Sequence, residues 1–305
     1  MTKQSEQNTT SQGKLNKTHK RLLISFVIVI ILFIAASLAW LYNGNLTQAK
    51  QNIFSKVPLP IAFVQSKTIS STELFDRVSV VKKLYTSAGK PTQGLENQLL
   101  DQLIEVKKIE IVARNNNVGA SSNDIEASYQ ALLKEFPDKG ENGLEQELEK
   151  SFGLDLKTFK TDVIVQTVLE DNLSLWFNTQ ESLNSDSYLK AREIIKQLDD
   201  KVEFEEVAKR NSEDYASKDF AGDNGFIKYS DLLPEFQKGL EGLVVGDTKL
   251  LVSRSGLHIL KVNGIEEAPE GEDKSYNLSQ IFIKPGDFQK WLKDESSKIK
   301  SMKLL

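Results

Sequence analysis

The chain has 305 residues, no cysteine and only two histidines, His19 and His258. Without cysteine it has no disulfide, no thiol nucleophile, no zinc–thiolate site and no lipid attached through a cysteine. Two histidines are too few for a histidine-rich metal site. The net charge of −4 gives no basic surface of the kind that binds nucleic acid. The sequence therefore predicts no metal, no other cofactor and no nucleic-acid partner.

The N-terminal part carries the one long apolar run that is evident from the sequence. Residues 22–42 contain no charged side chain, and about 20 such residues are enough to cross a bilayer core. Basic residues precede the run closely, so the positive-inside rule places residues 1–21 in the cytoplasm: Lys14, Lys17, Lys20 and Arg21. A cleaved signal peptide is the alternative, with a small-x-small site at residues 37–39. In the first reading the protein is a single-pass protein of the cell membrane; in both, its bulk is extracytoplasmic.

Residues 43–57 are predicted to form a polar linker. Residues 58–180, which follow it, are predicted to form a helical domain. A short strand is predicted at 61–64, and Ser70 with Glu73 forms a capping box that starts a helix. Apolar residues at helical spacing predict a second helix over 95–115. A third helix is predicted to begin near Asn123, and a fourth to begin at Asp155 and run through Trp176.

For residues 185–305 the sequence predicts a second domain, which contains strands as well as helices. Helices are expected near 188–198 and 204–210, and a shorter one at 234–240. Strands are expected at 226–229, 248–253 and 256–262, and residues 276–284 read as one more strand ended by Pro285-Gly286. Helices packed on a small antiparallel sheet are an α+β arrangement.

Three segments in this second domain resemble the parvulin family of peptidyl-prolyl isomerases. They are FEEVAKRNSEDYASKDFAGDNGF, LLPEFQKGLEGLVVGDT and LLVSRSGLHILKV, in the family's order between residues 204 and 262. The helical region is similar to the N-terminal chaperone domain of SurA/PrsA-type foldases, through IAFVQSKTISSTELF and LLDQLIEVKKIEIVARNNNV. The two resemblances together cover nearly all of the exported region.

The family's first strand is missing before the helix at 188–198, where the sequence is polar and turn-like. The segment NLSQIFIKP, at 277–285, is similar to that strand but follows the last one. We therefore predict a circularly permuted parvulin domain, in which this strand returns antiparallel to 256–262. The alternatives are a truncated second repeat and an unrelated tail.

The resemblance implies a set of site residues. The slot for the proline ring would be lined by Phe226, Leu232 and Phe236. The polar side of the site would be formed by His258 on its floor, Ser253 and Ser255 beside it, Asp214 facing the amide, and Gln280 where the family often has a second histidine. Without the motif, His258 would read as a buried core histidine and Asp214 as a turn residue. Glutamine forms hydrogen bonds but does not titrate, so the change at Gln280 puts catalytic efficiency in question more than binding.

The resemblance therefore implies an isomerase that assists the folding of exported polypeptides containing X–Pro bonds, at the outer face of the membrane. The alternative is a chaperone that holds unfolded exported segments with a catalytically weak or inactive parvulin-like domain. A serine hydrolase is a third reading, because residues 87–90 match S-x-x-K, but its supporting motifs are missing.

Overall fold

A computed structural model describes residues 17–134, 140–269 and 273–305, with side chains from residue 28 onward. Most of the predicted cytoplasmic tail, and the side chains at the start of the predicted membrane span, lie outside the described residues. A helix, α1, covers Lys17–Tyr42. Over the residues that are described in full, no helix is both long enough and apolar enough to cross a membrane.

Twelve α-helices and seven strands lie in the described part of the chain. The helices after α1 are α2 Gln48–Phe54, α3 Ser71–Ser87, α4 Leu95–Asn115, α5 Ser122–Lys134, α6 Gly140–Glu147, α7 Leu156–Phe159, α8 Val165–Thr179, α9 Ser185–Asp199, α10 Phe204–Asn211, α11 Pro234–Leu240 and α12 Phe288–Ser297. The strands are β1 Pro60–Val64, β2 Lys67–Ser70, β3 Asp223–Lys228, β4 Thr248–Ser253, β5 Gly256–Glu266, β6 Ser275–Ile283 and β7 Ser301–Lys303. The α+β prediction is confirmed.

Two of the helix starts that were read from capping residues have the predicted cap, whereas the third helix, α5, is capped by Ser121, whose Oγ accepts the N–H of Asp124 at 3.2 Å, and not by Asn123. Ser70 Oγ accepts the backbone N–H of Glu73 at 3.2 Å and caps α3. Asp155 caps α7 in the same way, through the N–H of Thr158 at 2.7 Å. A π-helical segment, Lys160–Ile164, continues α7 into α8. The helix predicted from Asp155 is therefore nearly continuous from α7 to the end of α8.

The first half of the chain packs around what we call the N-terminal core. It is built on α2, α3, α4 and α8 and on a three-stranded sheet of order β2-β1-β7. Its fully buried side chains include Phe54, Ile61, Leu103 and Leu173. A smaller apolar cluster around Tyr129 joins α5 and α6 to the start of α8.

The second half contains a four-stranded antiparallel sheet of order β3-β6-β5-β4. Strand β6 lies antiparallel to β5, with Phe282 opposite His258 and Gln280 opposite Leu260. The pairing predicted for the strand at 276–284 is therefore confirmed. Strand β6 also pairs with β3 on its other side, so the last strand of this sheet in the sequence is an inner strand of it.

The two faces of this sheet carry different side chains, because residues along a strand alternate in direction. One face, the helix face, packs under α9 and α10 through Leu257, Ile259, Ile281 and Ile283. The opposite face, the site face, packs against α11 and carries His258, Leu260, Val262, Tyr276, Leu278, Gln280 and Phe282.

The last residues of the chain leave this sheet and join the N-terminal core. Leu292 of α12 and the following Ile299 are buried in that core. Strand β7 pairs antiparallel with β1, with Met302 opposite Phe63. The observed packing therefore differs from the predicted domain at 185–305, because residues 288–305 fill a space between helices that come much earlier in the sequence.

Candidate active site

A chain of hydrogen-bonded side chains runs across the site face. The Nε2 atom of His258 lies 2.8 Å from Ser253 Oγ, and its Nδ1 atom lies 3.2 Å from Gln280 Oε1. Gln280 Nε2 donates to Asp214 Oδ2 at 2.8 Å. Ser255 Oγ lies 2.7 Å from Ser253 Oγ. The structure thus brings together all five polar residues predicted for the site.

The chemistry of the partners fixes the direction of these hydrogen bonds. A carboxylate only accepts, so the amide of Gln280 donates to Asp214 and turns its carbonyl oxygen toward His258. That oxygen cannot donate, so Nδ1 of His258 carries a proton. In a neutral imidazole Nε2 is then the acceptor, and it receives the hydroxyl proton of Ser253. Asp214 and Gln280 therefore set the tautomer of His258.

Asp214 is held by several donors at once. Its Oδ1 accepts the backbone N–H of Ala216 at 3.0 Å, and its Oδ2 accepts the Ser217 hydroxyl at 2.5 Å. Partial burial by itself raises the pKa of Asp214, but the bonds from Ser217, Ala216 and Gln280 outweigh it and hold the pKa below its ordinary value. Asp214 is therefore ionised at neutral pH and remains an acceptor.

His258 lies between two aromatic rings and is almost removed from solvent. Its side chain is 6% exposed. The ring of Phe236 meets it edge-on at 4.8 Å between centroids, and the ring of Phe282 lies at 5.0 Å on another side. Burial lowers the pKa of His258, although Gln280, Asp214 and Glu235 act in the opposite direction. The imidazole is therefore neutral at physiological pH.

Phe236, next to His258, belongs with Leu232 to one apolar cluster on the site face, and we call these two side chains the apolar wall. The prediction also named Phe226 for this wall. In the register of β3, Phe226 lies opposite Asn277 and Ile227 opposite Tyr276. Since Tyr276 is on the site face, Phe226 is on the other face, where it is half exposed. The structure therefore does not bring Phe226 to the site.

Gly222 allows Gln280 to lie as close to the loop after α10 as it does. The backbone N–H of Gln280 donates to Gly222 O at 2.8 Å. A Cβ on Gly222 would stand 2.3 Å from the carbonyl oxygen of Gln280, and its φ of +83° favours glycine. A side chain here would push β6 away from the loop that carries Asp214.

Across the described ranges, no group of three or more histidine, cysteine, aspartate or glutamate side chains is arranged to hold a metal ion. The site is an apolar wall beside a neutral, hydrogen-bonded imidazole. This arrangement is suited to binding an apolar ring and to noncovalent chemistry.

The sequence profile of the rotamase family, described as the PPIC-type PPIase domain, matches residues 175–264. This part of the chain is therefore similar to PPIC-type rotamase domains. The match includes α11, β4, most of β5 and the predicted site residues except Gln280. Phe282, the second ring beside His258, also lies outside it. Those two lie on β6, which follows the matched part and completes the site face of the sheet.

Several curated proteins named as foldases are similar to this chain. The foldase protein PrsA 2 of Bacillus anthracis is 29% identical over 174 residues, which are 54% of this chain and 60% of that protein. The foldase protein PrsA of Clostridium botulinum strain 657 is 27% identical over 255 residues, which are 68% of this chain and 73% of that protein. The chain therefore spans about three fifths of the Bacillus relative and somewhat more of the clostridial one.

Among solved structures, the crystal structure of foldase protein PrsA from Streptococcus pneumoniae is similar to this chain. The sequence identity is 14% and the TM-score 0.21, with 78% of this chain and 84% of that chain covered.

Proposed function

We propose that this protein is a peptidyl-prolyl cis–trans isomerase that acts as a foldase on unfolded exported polypeptides containing X–Pro bonds. The observation that carries the proposal is the chain Asp214–Gln280–His258–Ser253, which lies beside the apolar wall of Leu232 and Phe236. The PPIC-type match over residues 175–264 and the similarity to proteins named foldases support it.

The chemistry needs no covalent step. Resonance in the C–N bond sets a barrier of about 18–20 kcal/mol to rotation of the prolyl amide. A site lowers that barrier if it binds the twisted amide better than the planar one. In the proposed mechanism the apolar wall holds the proline ring, while the prolyl amide rotates next to His258 and Ser253. These groups are already oriented by Gln280 and Asp214, so no reorganisation is needed during the rotation.

The role of Asp214 in this proposal is indirect. Both of its carboxylate oxygens already accept hydrogen bonds from the protein. Asp214 is thus a positioning residue that acts through Gln280, and Ser255 extends the hydrogen-bonded chain at the exposed end of the β4–β5 turn. The prediction that Asp214 faces the amide directly is not needed.

The test is the rate of cis–trans exchange of an Ala-Pro peptide, followed by NMR with the full chain in detergent micelles. The uncatalysed exchange takes roughly tens to hundreds of seconds. We expect the protein to accelerate it in proportion to its concentration, and heat-inactivated protein to have no effect. Exchange at the thermal rate with active protein would remove the isomerase proposal.

Gln280 supports a second candidate function, a chaperone that binds unfolded segments with little catalysis. Its amide fixes the His258 tautomer but cannot titrate as a second histidine would. If the exchange stays thermal while an unfolded exported polypeptide is kept from aggregating, this second function replaces the first.

We also propose that residues 22–42 anchor the protein in the cytoplasmic membrane, with the bulk outside. The support is the uncharged run after four basic residues in the sequence. We expect the protein in the membrane fraction to keep its N-terminus, as measured by mass spectrometry of the intact chain. A mature chain that begins at Trp40 or later would show cleavage and contradict the anchor.

A further inference from the structure

The turn between β4 and β5 is bound from outside the sheet by helix α8. Asn178, which is fully buried, donates through Nδ2 to the carbonyl oxygens of Ser253 at 2.9 Å and Arg254 at 3.0 Å. Ser174, one turn earlier on α8, donates its hydroxyl to the same Arg254 oxygen at 2.8 Å. Helix α8 thus binds both carbonyl groups at the start of this turn.

The turn is also where the polar part of the site is attached. Ser253 bonds to His258 and to Ser255, and the backbone N–H of Ser255 returns to Ser253 Oγ at 3.1 Å. The position of the Ser253 hydroxyl depends on the position of the Ser253 backbone. Because Asn178 binds that backbone, a movement of α8 would move Ser253 relative to His258.

The side chain of Arg254 makes a second link between α8 and the site. Its guanidinium pairs with Asp171 on α8 and lies 3.5 Å from Glu235 Oε1 on α11. Glu235 precedes Phe236, which forms the apolar wall. Arg254 therefore connects α8 to the wall as well as to the turn.

The apolar residues of helix α8 pack in the first half of the molecule. Leu169 and Leu173 are buried in the N-terminal core, together with residues of α3 and α4. One helix thus packs in that core with some of its side chains and binds the β4–β5 turn with others.

We propose that Asn178 is a positioning residue for the isomerase site, and that through it and Arg254 the packing of the N-terminal core sets the geometry of His258 and Ser253. This inference rests on the proposed function for its effect on rate. The geometric part can be measured at His258 whether or not the protein is an isomerase.

The variant to compare is Asn178→Ala with Asn184→Ala as its matched control. Asn184 is nearly as buried as Asn178 and also donates to two carbonyl oxygens, those of Phe177 and Gln180, while its Oδ1 accepts the N–H of Gly286 at 2.7 Å. None of these hydrogen bonds goes to the turn. The full chain, in micelles, is labelled with ¹³C at histidine Cε1. Only two signals arise, and His19 is the internal reference.

In Asn178→Ala we expect the titration midpoint of His258 to rise toward its ordinary value, because a loosened turn admits water to the buried ring. We expect prolyl exchange to slow several-fold. In Asn184→Ala the His258 midpoint should stay at the wild-type value, although both variants should melt at a lower temperature. A merely structural residue would lower the melting temperature without moving the His258 signal.

Equal His258 midpoints in the two variants would overturn the proposal. If Asn178→Ala does not fold, Ser174→Ala removes one of the three bonds and should shift His258 in the same direction by less; no shift there would also overturn it. A wild type without isomerase activity removes the proposed function, yet the His258 titration still decides the positioning role.

Discussion

A chain that ends after Lys274 is expected not to fold in either half. It lacks β6, which is an inner strand between β3 and β5, and four buried apolar side chains on it: Tyr276, Leu278, Ile281 and Ile283. Burial of each contributes about 1.5–3 kcal/mol. Their sum is comparable with the whole stability of a domain, about 5–15 kcal/mol. The same deletion removes α12 and β7 from the N-terminal core.

Two longer chains separate these effects. A chain that ends after Lys284 keeps β6 but loses Leu292 and Ile299, so we expect the N-terminal core to unfold while the four-stranded sheet keeps its structure. A chain that ends after Ile299 loses β7 and Leu305, which packs against the N-terminal core, and should melt a few degrees lower, because β1 then has an exposed edge. Thermal unfolding by circular dichroism, with limited proteolysis to locate the unfolded half, measures each step. A cooperative transition at the wild-type temperature for the shortest chain would contradict the inner position of β6.

The pairing of β6 was accessible from the sequence for a physical reason. A strand at 276–284 needs a partner for its backbone groups, and the sequence predicts no later strand to provide one. The short strand β7 does follow it, but β7 pairs with β1. The long connection after β5 allows an antiparallel return to that strand. Period-2 alternation then places Gln280 on the same face as His258, where the structure has the two in contact.

The position of Phe226 shows that the sequence pattern alone does not determine which face of β3 a residue lies on. The register between β3 and β6 shifts between Asp223 and Phe226, which is a bulge or local irregularity. Such a shift changes which residues face the site, and nothing in the sequence GDNGFIK fixes it. Ile227 is on the site face and packs against the cluster that contains Leu232. Its partner on β6, Tyr276, lies opposite Ile265, seven residues along β5 from His258.

The position of α12 and β7 was also not predictable from local sequence. The apolar side chains of residues 288–299 show that one face of a helix is buried, but not against what. Their partner is a core formed by residues between 41 and 173, so the contact depends on the whole tertiary arrangement. In the same way, the bonds from Asn178 to the β4–β5 turn join residues 75 and 76 positions apart.

Phe236→Ala is expected to reduce kcat/KM for prolyl isomerisation by roughly 10- to 100-fold. Phe236 forms a wall of the slot and meets His258 edge-on at 4.8 Å. An apolar contact of this size is worth about 1.5–3 kcal/mol, and each 1.4 kcal/mol corresponds to a factor of ten. The measurement is the exchange rate of the Ala-Pro peptide at several peptide concentrations, with the melting temperature recorded to show that the variant is folded.

Phe226→Ala is the matched control, because it removes the same ring from the opposite face of the sheet. We expect its exchange rate to equal that of the wild type. Asp214→Asn should reduce the rate less than Phe236→Ala, since Asp214 acts through Gln280 and loses only part of its hydrogen bonding. If Phe226→Ala slows the exchange and Phe236→Ala does not, the proline ring binds on the face away from His258. The hydrogen-bonded chain from Asp214 to Ser253 would then be part of the scaffold of the sheet and have no direct part in the reaction.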